Sequence, residues 1–173
     1  MTLATLAEVL QPALKDGYAV PGLVCLGWED MRAFVAAAEA ERAPVILQAG
    51  PGCRAHTPLP ILGTMFRHLA ENASVPVVAH LDHGHTLEDC RAALDAGFTS
   101  VMIDGSKLPL QSNIDLTAMV AQLAHAAGAD AAERQVVLRD VQHAVVDRHA
   151  AGDRLLQHAL LGAGVVGEQV QAE

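Results

Sequence analysis

The chain has 173 residues, of which 51% are hydrophobic, so it can bury one substantial core. Its net charge is −9, with 11 basic against 20 acidic residues, which argues against a nucleic-acid or anionic-membrane partner. Three cysteines without CxxC spacing favour a reduced protein of the cytoplasm over a disulfide scaffold. Because the opening residues carry neither a basic region nor a long apolar run, we expect no signal peptide and no membrane span.

The elements predicted in chain order alternate between helix and strand. A leading amphipathic helix from Leu3 is predicted to break or kink at Pro12. The predicted strands cover residues 18–26, 45–48, 75–79 and 98–103. The predicted helices cover residues 30–42, 61–72, 86–97 and 108–127, with a long loop at 49–60. Apolar strands joined by helices indicate an α/β fold with a parallel sheet and about four βα units.

Polar side chains follow the third and fourth predicted strands. His80, Asp82 and His83 come after the first of these two strands, and Asp104 comes after the second. The carboxyl ends of parallel strands are where α/β proteins place their sites. The sequence therefore predicts a functional site at Asp82, His83 and Asp104.

These residues lie in the motifs HLDHG and SVMIDGS, with PVILQ before them and Asn113 and Ile114 after them. Over about residues 6–128 the chain resembles the class II, zinc-dependent ketose-bisphosphate aldolases. The resemblance implies a (β/α)₈ TIM barrel that cleaves a sugar phosphate into dihydroxyacetone phosphate and an aldehyde. It also implies that Asp82 protonates the aldehyde oxygen, that His83 binds the catalytic Zn²⁺, and that Asp104 lies near the metal.

The chain departs from the family pattern at several points. Residues 22–24 replace the family's AFN and so remove a substrate-binding amide, and Ala49 and Gly50 stand where many members have Ser or Thr. The acidic fifth-strand motif, the two further zinc histidines and the glycine-rich phosphate loops of the second half have no counterpart. We therefore expect a truncated, class II aldolase-like protein that binds zinc weakly and is inactive alone. The alternative is a non-catalytic half barrel that binds or regulates a complete enzyme.

The length also limits the architecture. A (β/α)₈ barrel needs about 250 residues, so we predict its N-terminal half over residues 1–128, followed by an atypical helical tail at 129–173. No buried strand is predicted after Gly128. The open sheet edges of such a half barrel favour a homo-oligomer or aggregation.

Other polar residues also have structural interpretations. His80 is predicted to fill a structural position, His85 to lie in an exposed loop, and His56 to lie on the surface rather than to reach a substrate. Asp82 and Asp104 could instead cap a helix or brace a loop, but the pairing of the two motifs favours a site. No substrate-binding residue is assigned.

The composition changes abruptly after Gly128. Residues 129–173 use only nine amino-acid types, each of which can be encoded by codons that begin with G or C. Chance would give such a run with a probability on the order of 10⁻⁶. We interpret the tail as a reading out of frame in a GC-rich gene. A genuine helical tail is the alternative, which the spacing of Val137, Val141 and Val145 would suit.

Overall fold

The computed structural model of the protein describes residues 3–133, which form a parallel sheet with helices. The strands β1 to β6 lie at Leu3–Ala4, Gly22–Val24, Val45–Ala49, Val77–Gly84, Ser100–Ile103 and Asp130–Glu133. The helices α1 to α6 lie at Leu6–Asp16, Trp28–Glu41, Pro51–His56, Leu59–Asn72, Leu87–Asp95 and Leu110–Ala126. None of these helices is long and apolar enough to cross a membrane.

The sheet has the strand order β2-β3-β4-β5-β6, and every neighbouring pair is parallel. The short strand β1 pairs with Val77 and Val78 at the start of β4. Because β3 occupies the other edge of these two residues, β1 lies on the edge of β4 that β5 takes from His80 onward. This order confirms the predicted α/β fold, with about half the strands of a (β/α)₈ barrel.

The two faces of the sheet are buried in different ways. Successive strand residues point to opposite faces, so the apolar strands supply two layers of core. The larger layer packs against α2, α4, α5 and α6 and includes Leu47, Phe66 and Leu81. The smaller layer places α1 against Ile46 and Val78. The helix α1 therefore covers the start of the second face, while that face carries polar side chains toward the carboxyl ends of its strands.

Local signals explain the ends of two helices. Thr86 and Asp89 form the predicted capping box at the start of α5, with the Thr86 hydroxyl accepting from the Asp89 N–H. The helix α1 has a capping box of its own, and it continues through Pro12 to Asp16. Of the two predicted outcomes, a break or a kink at Pro12, the structure therefore excludes the break. The buried face of α1 against the sheet outweighs the hydrogen bond that Pro12 removes.

Four other predicted boundaries differ from the structure. The helix predicted from Leu3 begins at Leu6, because Leu3 and Ala4 form the strand β1. The strand predicted at residues 18–26 is only the three-residue β2, and β4 runs on through the HLDHG motif to Gly84. The predicted loop at 49–60 contains the helix α3, in which Pro51 occupies the first turn and Cys53 is buried. A buried contact on α3 thus orders a segment whose glycines and prolines favoured a loop.

The helical tail predicted from residue 129 is wrong at its start, because residues 130–133 form the strand β6, whose Asp130 and Ala131 are half-buried. The strand β6 pairs with β5 in a continuous register from Ser100 with Asp130 to Ile103 with Glu133. Alanine and aspartate are poor strand formers, so the local pattern favoured a helix, and pairing with β5 overrides it. The fold therefore extends past the predicted boundary at residue 128 to Glu133. The rest of the predicted tail, residues 134–173, lies outside the described residues.

Candidate active site

A β-bulge near the end of β4 organises the site. Leu81 pairs with Val101 of β5, but Gly84 pairs with Ile103, so Asp82 and His83 together oppose a single β5 residue. A bulge of this kind turns a side chain away from the regular alternation of a strand. His83 has a φ of 53°, which is uncommon for a residue other than glycine. The bulge therefore explains how two adjacent residues can serve one site.

The side chains of Asp82, His83 and Asp104 come together at the carboxyl ends of β4 and β5, as the sequence predicts. His83 Nδ1 lies 2.9 Å from Asp104 Oδ2, and His83 Nε2 lies 3.8 Å from Asp82 Oδ1. Exposed fractions are 31% for the His83 side chain, 15% for Asp82 and 12% for Asp104. The imidazole thus lies between two carboxylates and remains partly open to solvent.

Asp104 is held by backbone groups at the end of β5. Its N–H donates to the Gly84 carbonyl at 2.7 Å, and its Oδ1 accepts from the Ser106 N–H at 3.1 Å. The other oxygen, Oδ2, is the one that contacts the His83 ring. A neutral imidazole that donates from Nδ1 to a carboxylate keeps its lone pair on Nε2, which is the arrangement of a metal-binding histidine.

His80 lies deeper on the same strand. It is 5% exposed, and its Nδ1 lies 2.7 Å from the hydroxyl of Ser100, which is fully buried. Burial, and to a smaller extent the charge of His83, lower the pKa of His80 to about 4. His80 is therefore neutral near pH 7 and fills the buried structural position that the sequence predicts.

His85 and His56 lie apart from this arrangement. His85 is exposed, and its backbone N–H donates to Asp89 Oδ2. His56 is exposed at the end of α3, and its ring contacts the Thr57 hydroxyl at 2.9 Å. Both observations agree with the predicted surface positions.

Arg54 is a site residue that the sequence analysis missed. Its guanidinium donates to the carbonyls of Ala49 at 2.8 Å, Asp82 at 2.5 Å and His83 at 3.0 Å. These contacts join α3 to the carboxyl ends of β3 and β4. The helix α3 was predicted as loop, so only the arginine itself, in a Gly- and Pro-rich segment after a strand, could have drawn attention to this position.

Gly50 lies against the Asp82 carboxylate. A Cβ atom at this position would lie 3.3 Å from Asp82 Oδ2 and 3.9 Å from Val24 Cγ1. Val24 occupies the last position of the segment that replaces the family's AFN. The small residue at 50 therefore leaves the Asp82 carboxylate room beside the end of β2.

The donor set does not fit a complete metal site. Among the described residues, no group of three His, Cys, Asp or Glu side chains, including Asp82, His83 and Asp104, is arranged so that it could hold a metal ion. A catalytic zinc takes three protein ligands and keeps one position for water or substrate. His83 supplies a single imidazole, in which Nδ1 already contacts Asp104 and only Nε2 remains for a metal ion.

Comparison with known proteins places the chain among the aldolases. The sequence profile of the family described as "Fructose-bisphosphate aldolase class-II" matches residues 4–133, so the match ends where β6 ends. A fructose-bisphosphate aldolase of Geobacillus stearothermophilus is 43% identical over 131 residues, which cover 74% of this chain and 46% of the relative. One from Treponema pallidum is 39% identical over 129 residues, which cover 72% of this chain and 39% of the relative.

A solved structure gives the same result. The YdjI aldolase of Escherichia coli K12 superposes with a TM-score of 0.72 at 29% identity, covering 76% of this chain and 51% of that one. The chain spans about half the length of the relatives that it matches. The profile match over residues 4–133, together with this superposition, shows that the chain belongs to the class II fructose-bisphosphate aldolase family.

Proposed function

We propose that this chain carries one part of a class II aldolase site and belongs to sugar-phosphate metabolism, with glycolysis as the setting and the cytoplasm as the location. The reaction is the cleavage of a ketose bisphosphate into dihydroxyacetone phosphate and an aldehyde. The observation that carries the proposal is the cluster at the ends of β4 and β5, where His83 contacts Asp104 at 2.9 Å and lies 3.8 Å from Asp82. Family membership supplies the reaction class.

Asp82 has the proton-transfer role in this proposal. Its carboxyl group protonates the aldehyde oxygen during condensation, and by microscopic reversibility it takes the same proton from the substrate hydroxyl during cleavage. The Asp82 side chain is 15% exposed, so it can meet a substrate that enters from the carboxyl end of the sheet. Asp104 orients the His83 ring through Nδ1, and both are proposed to lie at the metal side of the site.

Zinc is the cofactor that the family uses, but residues 3–133 do not complete a site for it. Without the metal and a phosphate clamp, a carboxylate loses the electrostatic stabilisation and positioning that account for most of such a barrier reduction. We therefore propose that the chain alone has no detectable turnover.

A chimera tests whether residues 4–133 can support catalysis once the missing part of the enzyme is supplied. Residues 4–133 would be joined to the remaining part of the Geobacillus stearothermophilus relative, which is 43% identical over the matched region. A coupled assay for dihydroxyacetone phosphate would be run on fructose and tagatose bisphosphates with this chain alone and with the chimera. We expect turnover only in the chimera, and a loss of at least about 100-fold in its Asp82→Asn variant.

The matched control is His85→Ala, because His85 lies in the same motif region but is exposed. This variant should retain the activity of the chimera. A folded, zinc-loaded chimera without activity would show that residues 4–133 do not carry a competent site. Cleavage by the chain alone, lost in Asp82→Asn, would show that the additional residues are dispensable.

A further inference from the structure

We propose that Arg54 is a positioning residue, whose guanidinium fixes the bulge of β4 and so holds His83 against Asp104. The catalytic consequence of this role rests on the function proposed above. The structural observation is that one side chain donates to three backbone carbonyls, those of Ala49, Asp82 and His83. Two of these three carbonyls belong to the bulge itself.

The bulge needs such a partner. Where Asp82 and His83 oppose one residue of β5, the regular ladder of backbone hydrogen bonds is interrupted. Buried or half-buried carbonyls that leave a ladder require another donor. Arg54 Nη1 serves Asp82 and Arg54 Nη2 serves His83. The guanidinium therefore supplies a side-chain donor to each of the two carbonyls of the bulge.

These contacts also select the conformation of His83. Its positive φ is unfavourable for a side chain with a Cβ atom, so an extended His83 would be preferred in isolation. Both carbonyls are aimed at Arg54 in the bulged conformation, which the contacts therefore favour. An extended His83 would turn its ring away from Asp82, as the normal alternation of a strand requires.

The third contact anchors the guanidinium. Arg54 Nη1 also donates to the Ala49 carbonyl, at the end of β3 and directly before α3. Cys53, the neighbouring residue of α3, is 1% exposed and fixes the helix against the core. The planar fork of arginine can serve several acceptors from one rigid group, whereas lysine presents a single flexible charge. Lysine should therefore not substitute for Arg54.

The experiment follows the His83 ring directly. The full chain would be labelled with ¹⁵N-histidine and studied by long-range proton–nitrogen correlation at about pH 8, where an ordinary histidine is neutral. The signals of His83 would be assigned with His83→Gln. In the unchanged chain we expect two widely separated ring-nitrogen shifts, because a ring bonded to Asp104 keeps one tautomer.

Arg54→Met should bring the two His83 shifts toward the averaged values of the exposed His85, while the signals of the buried His80 stay in place. The control Arg91→Met, on the exposed face of α5, should leave His83 unchanged. In Arg54→Ala, millimolar guanidinium should restore the separated shifts, whereas Arg54→Lys should show the averaged ones. Restoration by free guanidinium would not follow from a merely general loss of stability.

If Arg54→Met does not fold, the Arg54→Lys variant tests the proposed positioning role. Averaged His83 shifts in a folded Arg54→Lys chain support the proposal, and separated shifts in that chain overturn it. Because neither metal nor substrate is present, this result is independent of the chimera assay. An inactive chimera would not contradict the proposed role of Arg54. Unchanged His83 signals in the Arg54 variants would not contradict the proposed role of Asp82.

Discussion

The backbone N–H of Ala7 donates a hydrogen bond to Asp130 Oδ2 at 2.7 Å, across 123 residues of sequence. Ala7 lies in the first turn of α1, where N–H groups have no partner within the helix and a negative charge is favourable. Asp130 is the first residue of β6. The last described strand is therefore joined directly to the first helix of the chain.

Asp130→Ala should lower the free energy of unfolding by about 1 kcal/mol, because it removes the acceptor for a helix N-terminus. The measurement is urea denaturation followed by circular dichroism. Asp95→Ala is the control, since Asp95 is exposed at the end of α5 and its loss should change stability by less than about 0.5 kcal/mol. Equal effects in the two variants would mean that the Ala7 contact contributes nothing.

The free energy of unfolding should decrease as the pH is lowered and the His80 ring becomes protonated. Its folded pKa of about 4 lies below the ordinary value of 6.5, so between these values the unfolded chain binds a proton that the folded chain does not. The stability associated with neutral His80 is present above pH 6.5 and is lost as the pH falls toward 4, by up to about 3 kcal/mol.

Urea midpoints at about pH 7.5 and about pH 5 would measure this change. His80→Gln removes the titrating ring and can still contact the Ser100 hydroxyl, so its midpoint should depend less on pH than that of the unchanged chain. An identical pH dependence in the two proteins would contradict a buried neutral His80.

Zinc should not be retained by the purified chain after dialysis against metal-free buffer. The described residues offer His83 without two further ligands, so affinity should be low. Elemental analysis should give far less than one zinc per chain. The prediction fails if the content is equimolar, is abolished by His83→Ala and is retained by His85→Ala.

The DNA sequence tests the interpretation of residues 129–173. If this stretch is read out of frame, its codons should begin with G or C throughout, since each would start on a former third position. An alternative forward frame should then continue with an apolar, acidic strand, followed by histidines at strand ends and a glycine-rich phosphate loop. A rearrangement would instead show an unrelated open frame on the opposite strand.

The structure limits where a shift of the reading frame could lie. Residues 130–133 already have the restricted composition, yet they form β6 and fall within the profile match. A shift of frame should therefore lie after codon 133. Ordinary codon usage in the present frame, with neither alternative frame open, would show that the tail is genuine.

Sequence reasoning succeeded where the determinants are local. The capping box of Thr86 and Asp89 spans three residues, and it located the start of α5 correctly. The apolar runs of β3 and β5 indicated buried parallel strands. Because sites lie at the carboxyl ends of such strands, the sequence also predicted that Asp82, His83 and Asp104 lie close together.

It failed where a distant partner decides the structure. Arg54 binds carbonyls that follow it by 28 and 29 residues, and those carbonyls depend on a bulge that no residue type announces. The strand state of β6 comes from pairing with β5 and not from its alanines. The positive φ of His83 likewise becomes apparent only once the strands are paired.

The position of β1 has a consequence for synthesis on the ribosome. Leu3 pairs with Val77, and at the usual rates of translation Val77 is made about 4 to 15 s after Leu3. The Thr99 hydroxyl, which donates a hydrogen bond to the Ala4 carbonyl, is made later still. The segment Leu3–Ala4 is thus made well before its partners, and the apolar face of α1 remains accessible to other nascent chains during that interval.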